Sequence, residues 1–232
     1  MESTIYISEL LQNNYALFSA MYAFNNELLP YLHTDYLDGM PVDVLKSLSE
    51  SPQSRGKVIA YLRKELKLDT GVYNFDDVRY YLCLLSADEI NKIICYIGGI
   101  CFSEQIRKTI LGRELVKIRR TIGEDAYAFS LRTAPLFVKS NVAEQFRADG
   151  NTLVERMLNT GKSLIEMSLD GLPESLEKRF VLKFPKNFGW NFHHQVEDPN
   201  YYFGFIKKVI KRVLADDNNI AVAMIKAEHV TH

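Results

Sequence analysis

A mostly α fold is predicted by three features of the sequence. Apolar residues recur at spacings of three and four through most of the chain, the period of one helix face. Glycine and proline cut that pattern into short pieces with tight connectors. No repeat, linker or low-complexity run divides it. The natural reading is a single compact domain of many short helices over residues 1–232, with room for a short strand or two toward the C-terminal part.

The elements follow in order. Leu10, Leu11, Tyr15, Phe18 and Met21 form the face of a first helix, broken at Phe24-Asn25-Asn26. Pro30 and Asp38-Gly39 bound an aromatic-rich connector. Pro41 opens a helix faced by Val42, Leu45 and Leu48, since its missing N–H would be unpaired there anyway. Ser51-Pro52 separates it from a helix through Val58, Leu62 and Leu66, stopped by Gly71. Asn74 caps an expected helix from Phe75 to Leu85. Ser86 followed by Glu89 is a capping-box pattern that starts the next, through Ile90, Ile93, Ile94 and Ile97. Gly98-Gly99 weakens its later part and marks a close approach of another helix. A helix from Ser103 carries Ile106, Ile110 and Leu111. Another carries Leu115, Ile118 and Ile122 to Gly123, and a third carries Tyr127, Phe129 and Leu131 and ends before Pro135. From Val142 to Leu169 the pattern is helical with interruptions at Gly150 and Gly161. A helix from Glu174 to Phe180 follows Pro173. Val181 to Phe184 is open to an extended form, as is Ile220 to Ile225, and Tyr201 to Leu214 returns to helix.

Composition narrows the function. The 232 residues are 47% hydrophobic, enough to bury a core. Twenty-eight Lys and Arg against 29 Asp and Glu leave a net charge of −1, which argues against nucleic-acid binding and a polybasic membrane anchor. Cys83, Cys95 and Cys101 are odd in number and lack CxxC spacing, so neither a disulfide framework nor a common zinc site is expected. The first residues lack a basic segment followed by an apolar run, and the longest apolar-rich run, Ile93 to Phe102, is too short to span a bilayer. A cytoplasmic protein without direct membrane insertion is expected.

Motifs of catalysis are weak. Gly161-Lys162-Ser163 resembles the end of a P-loop, but Arg156 stands where the first glycine belongs and the flanks read as helix. His193 and His194 lie near Glu197 and Asp198, a set that suits acid–base chemistry or a metal, yet the spacing matches no defined motif. No Gly-x-Ser-x-Gly or HExxH occurs. No enzyme, metal or cofactor is therefore assigned, and a hydrolase centred on His193 and His194 stands as the minor alternative.

Aromatics are more informative. Tyr and Trp, with Arg, are the residues that anchor interfaces. Trp190, Phe192, Tyr201 and Tyr202 crowd an irregular stretch, and Lys207, Lys208, Lys211 and Arg212 make a basic helix face behind it. These eight are the candidate partner contacts, though the same residues equally suit core and solvated face.

Three stretches stand out together. The first is Phe24-Asn25 with Leu29-Pro30-Tyr31-Leu32-His33 and Leu37. The second is Cys95 with Gly98, Ile106-Arg107, Ile110, Gly112, Ile122-Gly123 to Tyr127, Phe129 and Ala134-Pro135. The third is Leu172-Pro173, Leu176, Arg179-Phe180 and Leu182 to Pro185. In order and spacing they resemble the early signature, the central block and the ending of the SctK family (the YscK and PscK proteins) of bacterial type III secretion. The likeness covers residues 24–185; residues 1–20, 38–75 and those after Pro185 match nothing further. It implies a non-enzymatic, cofactor-free cytoplasmic adaptor at the inner-membrane secretion apparatus, linking an SctD-like ring protein to an SctQ-like pod protein. A secretion chaperone or export regulator is the alternative.

Overall fold

A computed structural model describes residues 11–69, 71–137, 148–214 and 219–227. The described residues contain helices and turns and no strand. No helix among them is long and apolar enough to cross a membrane. The chain divides into two compact units. Unit 1 comprises residues 1–87, 172–190 and 218–232, and unit 2 comprises residues 88–171 and 191–217.

Unit 1 begins with α1 (Tyr15–Asn26), whose start is fixed by Asn14 accepting a hydrogen bond from the Leu17 N–H. Asn14 separates this helix from residues 11–13, which are helical; Leu11 there is exposed, and Leu10 falls outside the described residues. The hairpin of α2 (Val42–Glu50) and α3 (Pro52–Glu65) follows. Its buried Leu45, Val58 and Leu62 close over Leu28, Leu32 and Leu182. Residues 71–77 have no regular structure, and the expected helix from Phe75 is instead a 3-10 turn, Val78–Leu84. The reason is local. Asn74 accepts from Asp76 N–H and Asp77 from Arg79 N–H, each two residues on, which favours tight turns over a helix cap. The helices α10 (Glu174–Val181) and α12 (Ile220–Ala227) pack against that turn. Both segments open to a strand are therefore helix or turn, with Leu182 ending α10 ahead of Pro185.

Buried side chains bond backbone groups of Asp69, Val72, Cys83 and Leu85. Asn25, fully buried on α1, accepts from Val72 N–H at 2.9 Å and donates to Val72 C=O at 2.6 Å. Gly71 lies against that amide with a φ of 120°, so a side chain there would be both strained and crowded. Arg179, with no exposed surface, donates to the Asp69 carboxylate at 2.6 Å and to its carbonyl at 2.8 Å. Lys183 donates to the carbonyls of Cys83 and Leu85 while its ammonium lies 5.0 Å from the Phe24 ring centre. Burial pushes the Cys83 thiol up to about 12, with the Lys183 charge opposing the shift.

Unit 2 is built on α4 (Ala87–Cys101), α5 (Ser103–Lys108), α6 (Gly112–Ile122), α7 (Glu124–Arg132), α8 (Ala134–Phe137), α9 (Leu153–Ser168) and α11 (Pro199–Val213). The helix expected to run through Ile110 and Leu111 stops at Lys108, leaving both in a connector. Thr152 and Glu155 form a reciprocal capping box that starts α9, a T-x-x-E signature legible in the sequence but not used there. Gly161 does not interrupt α9. It faces the backbone of Ile94 on α4, while Gly98 of α4 faces the backbone of Met157 on α9. Gly99 meets the side chain of Ser130 on α7 instead. The expected close approach at Gly98-Gly99 is present. Residues 138–147, and with them Val142, lie outside the described residues.

Two tests follow from these contacts. Gly161→Ala should lower stability by about 1–3 kcal/mol, because its Cβ enters the Ile94 carbonyl. Gly56→Ala in α3, where nothing lies within 4 Å, should raise it by up to about 1 kcal/mol; urea midpoints decide both. The second concerns pH. An unfolded thiol ionises near its ordinary 9.0, whereas buried Cys83 keeps its proton to about 12. Native stability should therefore be complete below pH 9 and fall as pH rises toward 12, with a shallower fall in Cys83→Ala.

Candidate interaction surfaces

Helix α11 carries most of the residues singled out as partner contacts. Asp198 accepts from Asn200 N–H at 3.0 Å and Pro199 occupies the first turn, which together fix where the helix begins. Phe203, Phe205, Ile206, Val209 and Ile210 are buried in unit 2, where the helix packs on α9. The opposite side exposes Tyr201, Lys208, Lys211 and Arg212. Positions 201, 208 and 212 are spaced seven and four apart, so they form one stripe with Lys211 beside it. Tyr202 flanks the stripe, half-buried, its ring 5.5 Å from that of Tyr201. Partial burial, and then the neighbouring Tyr201, Asp198 and Glu197, raises its hydroxyl pKa.

The other candidates are placed differently. Lys207 is buried at 6% exposure and Phe192 at 0%, so a partner seated on this face does not touch them. Lys207 occupies the inward side of the helix between Ile206 and Val209, which a tally of basic residues does not distinguish. Trp190 belongs to unit 1, where its ring lies 4.8–5.1 Å from those of Phe188, Phe184 and Phe180. It is half-buried there, part of an aromatic cluster.

The histidine stretch of unit 2 is a fastened strap. Asp170 accepts from His194 N–H at 2.7 Å and from Val196 N–H at 3.0 Å. Glu166, 4% exposed, accepts from Asn191 N–H at 2.7 Å and faces Lys162 Nζ at 3.3 Å and His194 Nε2 at 3.5 Å. His194 Nε2 thus lies beside a carboxylate on α9, while His193 and Glu197 are exposed and Asp198 serves as a helix cap. No group of three or more His, Cys, Asp or Glu among the described residues is arranged to hold a metal ion. Lys162 lies inside α9, and the strand–loop–helix context that a phosphate loop needs is not found around it.

Unit 1 offers a second kind of surface. A cleft of about 240 Å³ opens between the turn after α1 and the α2–α3 hairpin. Leu28, Leu29, Pro30, Val58 and Ile59 line it, with Glu27, Glu50 and Arg55 also in its wall. Arg55 is steadied by donating to the Ser49 carbonyl at 3.1 Å. The cleft suits an apolar side chain flanked by polar groups. In the sequence, Leu29-Pro30 stands out as part of a signature and Pro30 as the bound of a connector. The other wall comes from a separate stretch of chain, so no local pattern announces the cleft.

Comparison with known families decides the identity. The family model of YOP proteins translocation protein K (YscK) matches residues 20–212. The chain belongs to the YscK family. It is accordingly a type III secretion protein, and this family of secretion accessory proteins is not a known enzyme family. The match is longer than the 24–185 stretch read from motifs, adding nearly all of α11, and it runs through residues 38–75 with the α2–α3 hairpin, which matched no motif. No curated protein and no solved structure matches the chain.

Surface and core on the YscK-family chain separate by stability. Lys208→Glu with Arg212→Glu should leave the melting curve within about 0.5 kcal/mol of wild type, as exposed positions do. Phe192→Ala should cost about 3–5 kcal/mol, as a fully buried ring does.

Proposed function

We propose that this YscK-family chain is a non-enzymatic adaptor of the secretion sorting platform. It joins the cytoplasmic domain of an SctD-like inner-membrane ring protein to an SctQ-like pod protein, on the cytoplasmic side of the apparatus. The observation that carries the reading is the family match over residues 20–212, which takes in two compact units with a distinct surface on each. An adaptor needs two separable surfaces. The apolar cleft of unit 1 and the Tyr201–Arg212 face of unit 2 supply them. They differ in chemistry, one apolar and concave, the other basic and aromatic, which suits two unlike partners.

Co-purification with the ring domain and the pod protein of the same secretion system tests this. A complex with both is expected. Ile59→Asp in the cleft and Lys208→Glu with Arg212→Glu on α11 should each weaken a different partner by about ten-fold or more. Binding of neither protein sinks the adaptor reading, and capture of an export substrate instead would favour a chaperone. His193→Ala with His194→Ala should leave secretion intact, whereas its loss with the fold preserved would revive the enzyme alternative.

A further inference from the structure

The connector between α5 and α6 presents an unusual surface. Ile110 is 92% exposed and Leu111 64% exposed, the former the most exposed large apolar side chain among the described residues. Thr109 and Leu111 both have extended backbone, so the two aliphatic side chains stand out from a short tip. The tip is anchored from behind, where Thr109 Oγ1 donates to the Gln105 carbonyl at 2.9 Å.

Helix α6 continues from that tip with two different faces. Ile118 and Ile122 are buried. Arg113, Val116, Lys117 and Arg120 are exposed, at spacings of three, four and seven that place them on one stripe. Val116 adds an apolar residue within the basic row, at 48% exposure. Arg119 falls to the side, bound to Glu124 at 2.7 Å and lying over the Tyr127 ring. From Arg107 to Arg120 the basic residues are Arg107, Lys108, Arg113, Lys117, Arg119 and Arg120, and the one acidic residue is Glu114. This stretch is strongly positive in a chain whose net charge is −1.

We infer that the Ile110–Leu111 tip and the outer stripe of α6 dock an acidic segment of a partner protein. A merely solvated face accounts for the charges but not for three exposed aliphatic residues aligned with them. The basic row runs along about 10 Å of helix from Arg113 to Arg120, at the usual rise per residue, and has the apolar tip at one end. Its complement is an elongated acidic helix or strand with an apolar residue or pocket at one end, which a row of carboxylates would steer into register. The inference does not depend on the ring and pod proteins being the partners.

A photo-crosslinker tests it. p-Benzoylphenylalanine replaces Ile110 in the full chain, expressed in cells that assemble the secretion apparatus, and adducts are mapped by mass spectrometry. The expected result is a crosslink to an acid-rich segment of a protein, with yield falling about ten-fold or more in Arg113→Glu/Lys117→Glu/Arg120→Glu. Lys92→Glu, a charge reversal at an exposed position of α4 away from both proposed surfaces, should leave it unchanged. All of these positions are exposed, and matching thermal melts verify that the variants fold. Adducts to lipid, to a protein segment without acidic residues, or with yield indifferent to charge reversal would overturn the inference, as would no adduct. An acidic segment on a protein other than ring or pod would uphold it while leaving the ring-and-pod reading without support.

Discussion

Unit 1 rests on buried side chains that satisfy a backbone lacking regular structure. Residues 71–77 form no helix of their own, and a backbone N–H or C=O buried without a partner costs about 1–3 kcal/mol. Asn25 answers both polar groups of Val72, Arg179 takes the Asp69 carbonyl together with its carboxylate, and Lys183 takes the carbonyls of Cys83 and Leu85. Two of these donors are cations, whose burial is tolerable only with oxygen or aromatic partners. Arg179 and Lys183 stand four residues apart, so the end of α10 and the turn after it hold two points of the same irregular run. Tyr31 lies close by, half-buried, its hydroxyl donating to the Phe24 carbonyl and its pKa driven up by burial against the pull of Arg179 and Arg63.

Much of the helical pattern was legible because each helix buries one side. The periodicity of α3, α4, α6 and α11 reads directly from the spacing of Val58 and Leu62, of Ile90 to Ile97, of Ile118 and Ile122, and of Ile206 to Ile210. Glycine is where reading along the chain loses resolution. A helix break and a tight helix crossing both ask for a missing side chain, and only the second applies at Gly161. Short apolar runs are ambiguous for a similar reason. Ile220 to Ile225 carries too few residues for a two-residue period to be told from a helical one, and its packing on the 78–84 turn and α1 decides the matter.

The candidate surfaces show the same division. The exposed row of α11 follows from period alone once the helix is known, which is why Tyr201, Lys208, Lys211 and Arg212 fall together. Burial of Phe192 depends on the strap held by Glu166 and Asp170, residues more than twenty positions earlier, so no local pattern could assign it to the core. The cleft is harder still, since residues 26–30 and 49–62 make it only after the hairpin has folded back. Charge counting erred at Lys207 because it ignores which side of the helix a residue occupies.

The crossing of α4 and α9 has a mechanical consequence. Because Gly98 faces the backbone of Met157 and Gly161 faces the backbone of Ile94, each helix sits in a notch cut into the other. Sliding α4 so that Ile97 takes the place of Gly98, or α9 so that Lys162 takes the place of Gly161, would bring a side chain toward a carbonyl that tolerates no methyl group. The pair is keyed like two halved timbers, free neither to ratchet nor to shear. A load on unit 2 would therefore displace the connectors between its shorter helices before it displaced this joint.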